Sequence, residues 1–435
     1  MRSGAASQRE SGHRNGRRRA GPIRASLDRH QGRNGLMNLG NGLGHLTYST
    51  LVHATDDWDQ LWKSVNTYLP AVKARMAPHE KFGVCLRTSA PSAAALSADP
   101  AKRATLKQFF ADQDLYLYTA NAFVYGVFKK QVIKEDVYEP DWQTPARREY
   151  TKQVATLLAE LAPEGINPSI QSAPLGFKPK VTGDHVVDEY TTNVIDVVAH
   201  LVELKKKTGK TVTLGLEPEP RCYLETTDET ITYFQKYLFS GETAKKLAKQ
   251  AGLTEADAHQ AMRDYTGIVF DIGHQAVGYE DIPASLRKLV AAGVPIVKLQ
   301  EAASMRIPEV TQQTVDALQS FAKTIYLSQT CQQKDGQMTW FLNLEDAFEA
   351  FHRDPGPREW RTHFHVPVFL TDLGGAFGTT RFALEEALAV HKQTPLSTHL
   401  EIETYTWDVL PAHLKTGDIV DYVTRELEWV KGQLT

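Results

Sequence analysis

The sequence predicts an α/β protein whose strands close into a (β/α)8 TIM barrel. Short segments rich in β-branched and apolar residues alternate with longer amphipathic segments about eight times along the 435 residues. This alternation is typical of parallel strands joined by crossover helices, and the length suits one barrel with insertions. An open doubly wound sheet would place a glycine-rich turn after an early strand, but the glycines of Asn38–His45 precede the first predicted strand.

Eight segments have apolar residues at the spacing of a helix that buries one face. In Trp58–Ala74, for example, positions 58, 61, 62, 65, 69 and 72 are apolar, which is a helical period. The predicted helices are Trp58–Ala74, Tyr150–Leu161, Asn193–Thr208, Thr230–Leu238, Ile282–Ala292, Glu309–Ala322, Leu344–Phe351 and Arg381–His391.

Nine segments are candidate strands, which is one more than the barrel needs. They are Leu43–Thr50, Phe82–Thr88, Leu115–Phe123, Ile166–Ala173, Val212–Glu217, Ile268–Asp271, Ile296–Gln300, His363–Leu370 and His399–Glu403. Two β-rich runs that meet at Asp335 and Gly336 predict a β-hairpin insertion near residues 324–342. His363–Leu370 is then either the seventh barrel strand, displaced along the chain, or an inserted strand.

Residues 1–36 differ in composition from the rest of the chain. They contain nine Arg residues against Glu10 and Asp28 and too few apolar residues to form a core. We expect a disordered basic tail ahead of a single barrel domain at 37–435, although a nucleic-acid-binding arm or a transit peptide also fits the composition. The remaining chain is acidic, which argues against nucleic acid as a partner.

Composition also restricts the location of the protein. No stretch reaches the roughly 18 apolar residues of a membrane span, so we expect no transmembrane segment. Cys85, Cys222 and Cys331 are scattered and form neither a disulfide framework nor a zinc-ribbon spacing. A reducing, cytoplasmic location fits this cysteine usage best.

Three predicted strands end in carboxylates. They lie in TVTLGLEPEP, TGIVFDIGH and STHLEIETY, and the acids are Glu217, Asp271, and Glu401 or Glu403. In a barrel the carboxyl ends of the strands meet at one rim. Carboxylates that meet there repel one another unless a cation lies between them. The pattern therefore predicts a divalent-metal site at this rim, although Asp271 alone could also cap the next helix.

Other polar residues fall at the predicted strand ends. His363 and His365 share one strand face, as a metal pair or a hydrogen-bonded core pair. Lys298 could balance the carboxylates or polarise a substrate oxygen. Oxygen and nitrogen ligands together suit Mn²⁺, Mg²⁺, Co²⁺ or Zn²⁺. The polar residues at the strand ends are His45, Arg87, Asn121, Gln171, His274, Lys298, Gln300, His363, His365 and Glu401.

Glu217, Asp271, His274 and Glu403 resemble, in order and spacing, the metal-site motif of the xylose isomerase-like superfamily of sugar isomerases and epimerases. The resemblance implies a metal held by Glu217, Asp271, Glu403 and a residue of the seventh strand, with His274 contacting substrate. In the ketose 3-epimerase branch a His stands where this chain has Gln300, followed six residues later by an Arg, here Arg306. His365 is a candidate for the missing imidazole, so Gln300 and His365 both remain candidate ligands.

More narrowly, MNLGNGLGHLTYSTLVH and HLEIETYTWDVLP resemble the two ends of EboE-type metabolite traffic proteins of bacterial gene clusters, over about Met37 to the C-terminus. This implies a small metabolite as ligand and other proteins of the same cluster as partners. Three functions remain open. One is a metal-dependent sugar isomerase or epimerase, with Glu217, Glu403 and Lys298 as catalytic residues and with His45, His274, Arg306 and Glu401 binding substrate. The others are a non-catalytic metabolite-binding component and, ranked last, an endonuclease IV-type phosphodiesterase.

Overall fold

A parallel eight-stranded barrel forms the centre of the protein. The computed structural model describes Met1 and residues 38–128, 132–322 and 325–435. Neighbouring strands follow the order β1-β14-β7-β6-β5-β4-β3-β2. The strands are β1 (His45–Tyr48), β2 (Phe82–Arg87), β3 (Leu115–Asn121), β4 (Ser169–Ser172), β5 (Thr213–Leu216), β6 (Thr266–Asp271), β7 (Ile296–Glu301) and β14 (His399–Ile402). The predicted α/β class and the (β/α)8 barrel are confirmed.

The barrel closes between β1 and β2. Ser49 and Cys85 form a parallel bridge there, and the Thr47 hydroxyl donates a hydrogen bond of 2.7 Å to the carbonyl of Gly83. Gly44, at φ 89°, leads the chain into β1. A Cβ atom at Gly44 would collide with the backbone of Thr398, so this close approach explains the glycine.

Helices pack around the barrel, and local signals fix their ends. The Asp57 side chain accepts from the Gln60 amide where α1 begins, and Gly209 ends α5 in the left-handed conformation. The helices are α1 (Trp58–Met76), α2 (Ala90–Ala98), α3 (Pro100–Asp112), α4 (Pro145–Leu161), α5 (Asp184–Thr208), α6 (Thr227–Tyr233), α7 (Gly241–Ala251), α8 (Glu255–Tyr265), α9 (Ile272–Val277), α10 (Ile282–Ala292), α11 (Gln312–Ala322), α12 (Leu344–Arg353), α13 (Arg381–Gln393) and α14 (Ile419–Leu434).

A second sheet of six antiparallel strands is inserted between β7 and β14. Its order is β10-β9-β11-β8-β13-β12. The strands are β8 (Ala303–Ile307), β9 (Thr330–Lys334), β10 (Gln337–Phe341), β11 (Glu359–Val366), β12 (Asp372–Gly374) and β13 (Phe377–Thr379). Strands β9 and β10 form the predicted hairpin at Asp335 and Gly336. The first residue of the predicted range 324–342 lies outside the described residues. The ninth predicted strand is therefore an insertion, β11.

The second sheet delivers side chains to the barrel rim. Strand β8 follows β7 after one residue, and β11 pairs with β8 so that His365 lies opposite Ser304. The predicted basic tail, residues 1–36, lies outside the described residues except for Met1. Among the described helices, none combines the length and the apolar character that crossing a bilayer requires.

Candidate metal centre

The carboxylates predicted at the strand ends converge at one point of the rim. Glu217 follows β5, Asp271 ends β6 and Glu403 follows β14. One ligand atom from each of Glu217, Asp271 and His274 lies within 4.8 Å of the others, and the same holds for Asp271, His365 and Glu403. All five side chains are buried. The two groups share Asp271, so strands distant in the chain build one continuous cluster.

Three imidazoles meet beside these acids. Donor atoms of His274, His363 and His365 also lie within 4.8 Å of one another. We call these three histidines, with Glu217, Asp271 and Glu403, the acid–imidazole cluster. His365 reaches it from β11, so an imidazole is supplied by the inserted sheet and not by the seventh barrel strand.

The hydrogen bonds of the three histidines fix their tautomers. Nδ1 of His274 lies 3.0 Å from the carbonyl of Pro218, and Nδ1 of His365 lies 2.6 Å from the carbonyl of Glu403. Nδ1 of His363 lies 3.0 Å from Oε1 of Gln329. Carbonyl oxygens only accept, so each Nδ1 carries the hydrogen. Each Nε2 therefore presents a lone pair, as in a metal-binding histidine.

Two of these lone pairs face one another. Nε2 of His274 and Nε2 of His363 are 3.0 Å apart. Burial lowers the pKa of His274 to about 3, so a bridging proton is unfavourable near neutral pH. Two nitrogens at this separation, each about 2.1 Å from one ion, would subtend roughly 90° at it. The geometry therefore fits a shared cation.

Asp271 is both a helix cap and a candidate ligand. Oδ1 accepts a 2.8 Å hydrogen bond from the His274 amide, which begins α9. Oδ2 has no hydrogen-bond partner among the described residues and lies 3.9 Å from Nε2 of His274 and 4.0 Å from Nε2 of His365. Burial raises the pKa of Asp271 to about 6. A cation beside Oδ2 would favour the ionised form.

Glu217 and Glu403 are oriented by amides. Oε2 of Glu217 accepts from Gln171, and Oε1 of Glu403 accepts from Asn121, both at 2.7 Å. Burial raises the pKa of both carboxyls well above its ordinary value; for Glu217 the charges of Glu403 and Asp271 add to this. Two buried acids beside a third are stable together only when protonated or matched by positive charge.

Catalysis by Lys298 and substrate binding by Glu401, as predicted, would require both side chains to line the cavity. Neither side chain does. Both side chains are fully buried and form an ion pair inside the barrel. Nζ of Lys298 also donates a 2.6 Å hydrogen bond to Oε1 of Gln171, whose other end holds Glu217. The structure therefore gives Lys298 and Glu401 a supporting position beneath the acid–imidazole cluster.

His45 and Arg306 are not brought to the cluster. His45 is the first residue of β1, so the expectation that it lies at a carboxyl end is wrong. Its ring lies at the opposite end of the barrel, where Nδ1 is 2.8 Å from the Tyr116 hydroxyl. Arg306 lies on β8, where its guanidinium donates a 2.5 Å hydrogen bond to Glu359, and it does not line the cavity.

Gln300 reaches the interior without a partner. It is fully buried, and neither its amide nitrogen nor its amide oxygen has a hydrogen-bond partner among the described residues. In register it lies beside Asp271 on one side and Glu401 on the other. Its predicted role as a metal ligand stays a prediction.

Glu219 is a further acid that the sequence reasoning missed. It accepts a 2.7 Å hydrogen bond from the Tyr138 hydroxyl and lies 3.5 Å from Nδ1 of His363. Burial raises its pKa to about 8. The spacing Glu217-Pro218-Glu219 was the available signal, because alternate residues of an extended segment face the same side.

A cavity of about 60 Å³ lies above the cluster. Its floor includes Glu217, His274, His363 and Glu403. The lining also contains apolar and aromatic side chains that pack together, which we call the apolar wall, formed by Leu51, Phe123, Phe128, Ile133, Tyr326 and Leu327. Since one water needs about 10–15 Å³ by this measure, the cavity has room for a small molecule.

Comparisons with known proteins give distant structural likeness only. No protein-family model matches the chain, and no curated protein matches it. A xylose isomerase-like TIM barrel protein from Mycobacterium smegmatis, in complex with magnesium, has a TM-score of 0.43 at 10% identity, covering 89% of this chain and 99% of that one. A putative sugar phosphate isomerase/epimerase from Anabaena variabilis has the same score and identity, covering 90% and 98%.

The IOLI protein with a bound zinc atom has a TM-score of 0.39 at 13% identity, covering 90% of this chain and 98% of that protein. All three likenesses are distant and concern the fold alone. The strand order establishes the fold, and the geometry defines a candidate site.

Proposed function

We propose that the acid–imidazole cluster binds a divalent metal and that the protein acts on a small metabolite with two adjacent oxygens, by isomerase- or epimerase-type chemistry. The observation that carries this proposal is the unpartnered Oδ2 of Asp271, which faces Nε2 of both His274 and His365. Nε2 of His363 lies 3.0 Å from that of His274. Imidazole ligands favour Zn²⁺ over Mg²⁺, whereas the carboxylates also suit Mn²⁺. The donors form two groups that share Asp271, so the cluster can accommodate one or two ions.

The protein supplies the proton-transfer groups. Glu217 and Glu403 come from strands three steps apart in the barrel order and both line the cavity. Each accepts one amide hydrogen bond from the protein. In this proposal one of them removes a proton from a substrate carbon and the other returns one. A bound divalent metal supplies a Lewis acid for the substrate oxygens.

Metal content and the Glu217→Gln variant test the proposal together. We expect the purified protein, after dialysis against Zn²⁺ or Mn²⁺, to retain metal at one or two equivalents by elemental analysis. Glu217→Gln should weaken retention while circular dichroism stays unchanged. The exposed Glu242→Gln is the matched control and should retain metal. No retention by the wild type, or full retention by Glu217→Gln, would contradict the proposal.

The finer assignment to EboE-type metabolite traffic or processing is part of this proposal. It is supported by the end motifs, which also imply other proteins of the same gene cluster as partners. The scattered cysteines favour a cytoplasmic location. The non-catalytic alternative predicts tight binding of one metabolite without turnover, and Gln300 in place of a histidine supports it. A phosphodiesterase of the endonuclease IV type is not supported, because the cavity faces an apolar wall and the chain after residue 36 is acidic.

A further inference from the structure

The cavity has two faces of opposite chemistry. The floor includes members of the acid–imidazole cluster, whereas the apolar wall is built from hydrocarbon and aromatic side chains. Phe128 and Tyr326 pack with ring centroids 4.9 Å apart, and Tyr326 packs on Tyr405 at 5.1 Å. A ligand that fills the cavity and reaches the cluster therefore also contacts apolar surface.

The described residues that line the cavity carry little positive charge. Lys134 is the one cationic side chain among the described residues that line the cavity, apart from the histidines. Its Nζ lies 3.3 Å from both the Tyr326 carbonyl and Oδ1 of Asn343. Phosphate recognition uses guanidinium groups, ammonium groups or the start of a long helix. The described lining offers one ammonium, which already contacts two protein oxygens, and therefore favours an uncharged ligand over a sugar phosphate.

The wall is also a poor partner for the hydroxyls of a free sugar. An aromatic ring can stack on one face of a sugar, but the hydroxyls at its edges need hydrogen-bond partners once they leave water. Leu51, Ile133 and Leu327 provide none. The apolar character continues outward, since Val127 and Val132, next to Phe128 and Ile133 in the chain, are 42% and 67% exposed.

The wall is held in place by buried polar contacts. Oδ1 of Asp56 accepts a 3.0 Å hydrogen bond from the Phe128 amide and a 2.9 Å bond from the Arg87 guanidinium. Arg87 also donates to the carbonyl of Gly126 at 2.5 Å. These hydrogen bonds fix the backbone position of Phe128 in the apolar wall.

We propose that the ligand of this site is an uncharged α-hydroxyketone with an apolar, preferably aromatic, body, and not a sugar or a sugar phosphate. This inference rests on the proposed function, because the two adjacent oxygens are the part that meets the metal. The ketone and hydroxyl oxygens face the acid–imidazole cluster, and the ring packs on the apolar wall.

Calorimetry of the full-length, metal-loaded protein with four probes tests the inference. The probes are 2-hydroxy-1-phenylethanone, hydroxyacetone, D-xylulose and D-xylulose 5-phosphate. We expect the phenyl compound to bind at least tenfold more tightly than each of the other three. Equal or tighter binding of D-xylulose or its phosphate would overturn the inference while leaving the proposed function intact.

Variants of the wall complete the test. Phe128→Ser should weaken the phenyl compound about tenfold and leave hydroxyacetone unchanged, whereas Phe128→Leu should keep most of the affinity. Met338→Ser, at an exposed position of β10, is the control and should change nothing. If Phe128→Ser folds poorly, Leu51→Asn gives the same comparison. Unchanged phenyl affinity in the wall variants would overturn the inference.

Metal content is measured on the same samples. Failure to take up metal overturns the proposed function. If the metal-free protein still prefers the phenyl compound, the inference that the apolar wall binds the ring stands even when the proposed function fails.

Discussion

Replacing Lys298 alone should destabilise the barrel strongly. Replacing Lys298 and its partner Glu401 together should restore most of the lost stability. Lys298 and Glu401 are both fully buried and paired within the barrel. Breaking a buried ion pair from one side leaves a charge without a partner, which costs about 3–5 kcal/mol. We therefore expect Lys298→Met and Glu401→Leu each to lower the free energy of unfolding by roughly that amount.

The double variant Lys298→Met/Glu401→Leu distinguishes a structural pair from a catalytic lysine. Replacing a buried ion pair by apolar groups of similar volume is often nearly neutral. The double variant should therefore be more stable than either single variant, apart from about 1 kcal/mol for the Gln171 oxygen that loses its donor. Urea unfolding of the four proteins, followed by circular dichroism, gives the coupling energy.

Two results would refute this reasoning. Single variants that each lose less than about 1 kcal/mol would show that water screens the pair, as at a surface. A stable Lys298→Met protein that binds substrate but does not turn it over would restore the catalytic role predicted from the sequence. Metal content provides a further check, since loss of the Lys298–Gln171–Glu217 connection should weaken metal binding.

Three other variants probe the site and the fold. Gln329→Leu removes the acceptor for Nδ1 of His363 and should lower metal affinity about 10- to 100-fold, measured by competition with a chelator; unchanged affinity would exclude His363 as a ligand. Burial raises the pKa of Glu426 to about 8, so the folded state holds this proton more tightly than the unfolded state. The stability that the protonated carboxyl contributes is complete below about pH 4.5 and is lost as the pH rises through about 8. Glu426→Gln should therefore flatten the decline in urea midpoint between pH 5 and 8, and an unchanged slope would contradict this. Gly44→Ala should lower the free energy of unfolding by at least about 1–3 kcal/mol, since the added Cβ collides with Thr398. The control Gly209→Ala has a similar φ but open space around it, so it should lower the melting temperature less.

Much of the candidate site was visible in the sequence because it depends on local order. Glu217 and Asp271 follow runs of β-forming residues, and parallel strands deliver their carboxyl ends to one rim whatever the loops do. His45 shows the limit of this reasoning. It stands near the amino end of the predicted strand Leu43–Thr50 and is the first residue of β1, so its ring lies at the far end of the barrel from the cluster.

The sequence by itself determined the alternation of strands and helices, the barrel, and the acids that end β5, β6 and β14, because each depends on periodicities within a few residues. Only the tertiary structure decided that β11 belongs to an inserted sheet, that His363 and His365 complete the cluster, and that Lys298 pairs with Glu401 below it. These are contacts between residues up to 103 positions apart, set by sheet register and packing, and no pattern in neighbouring residues encodes them.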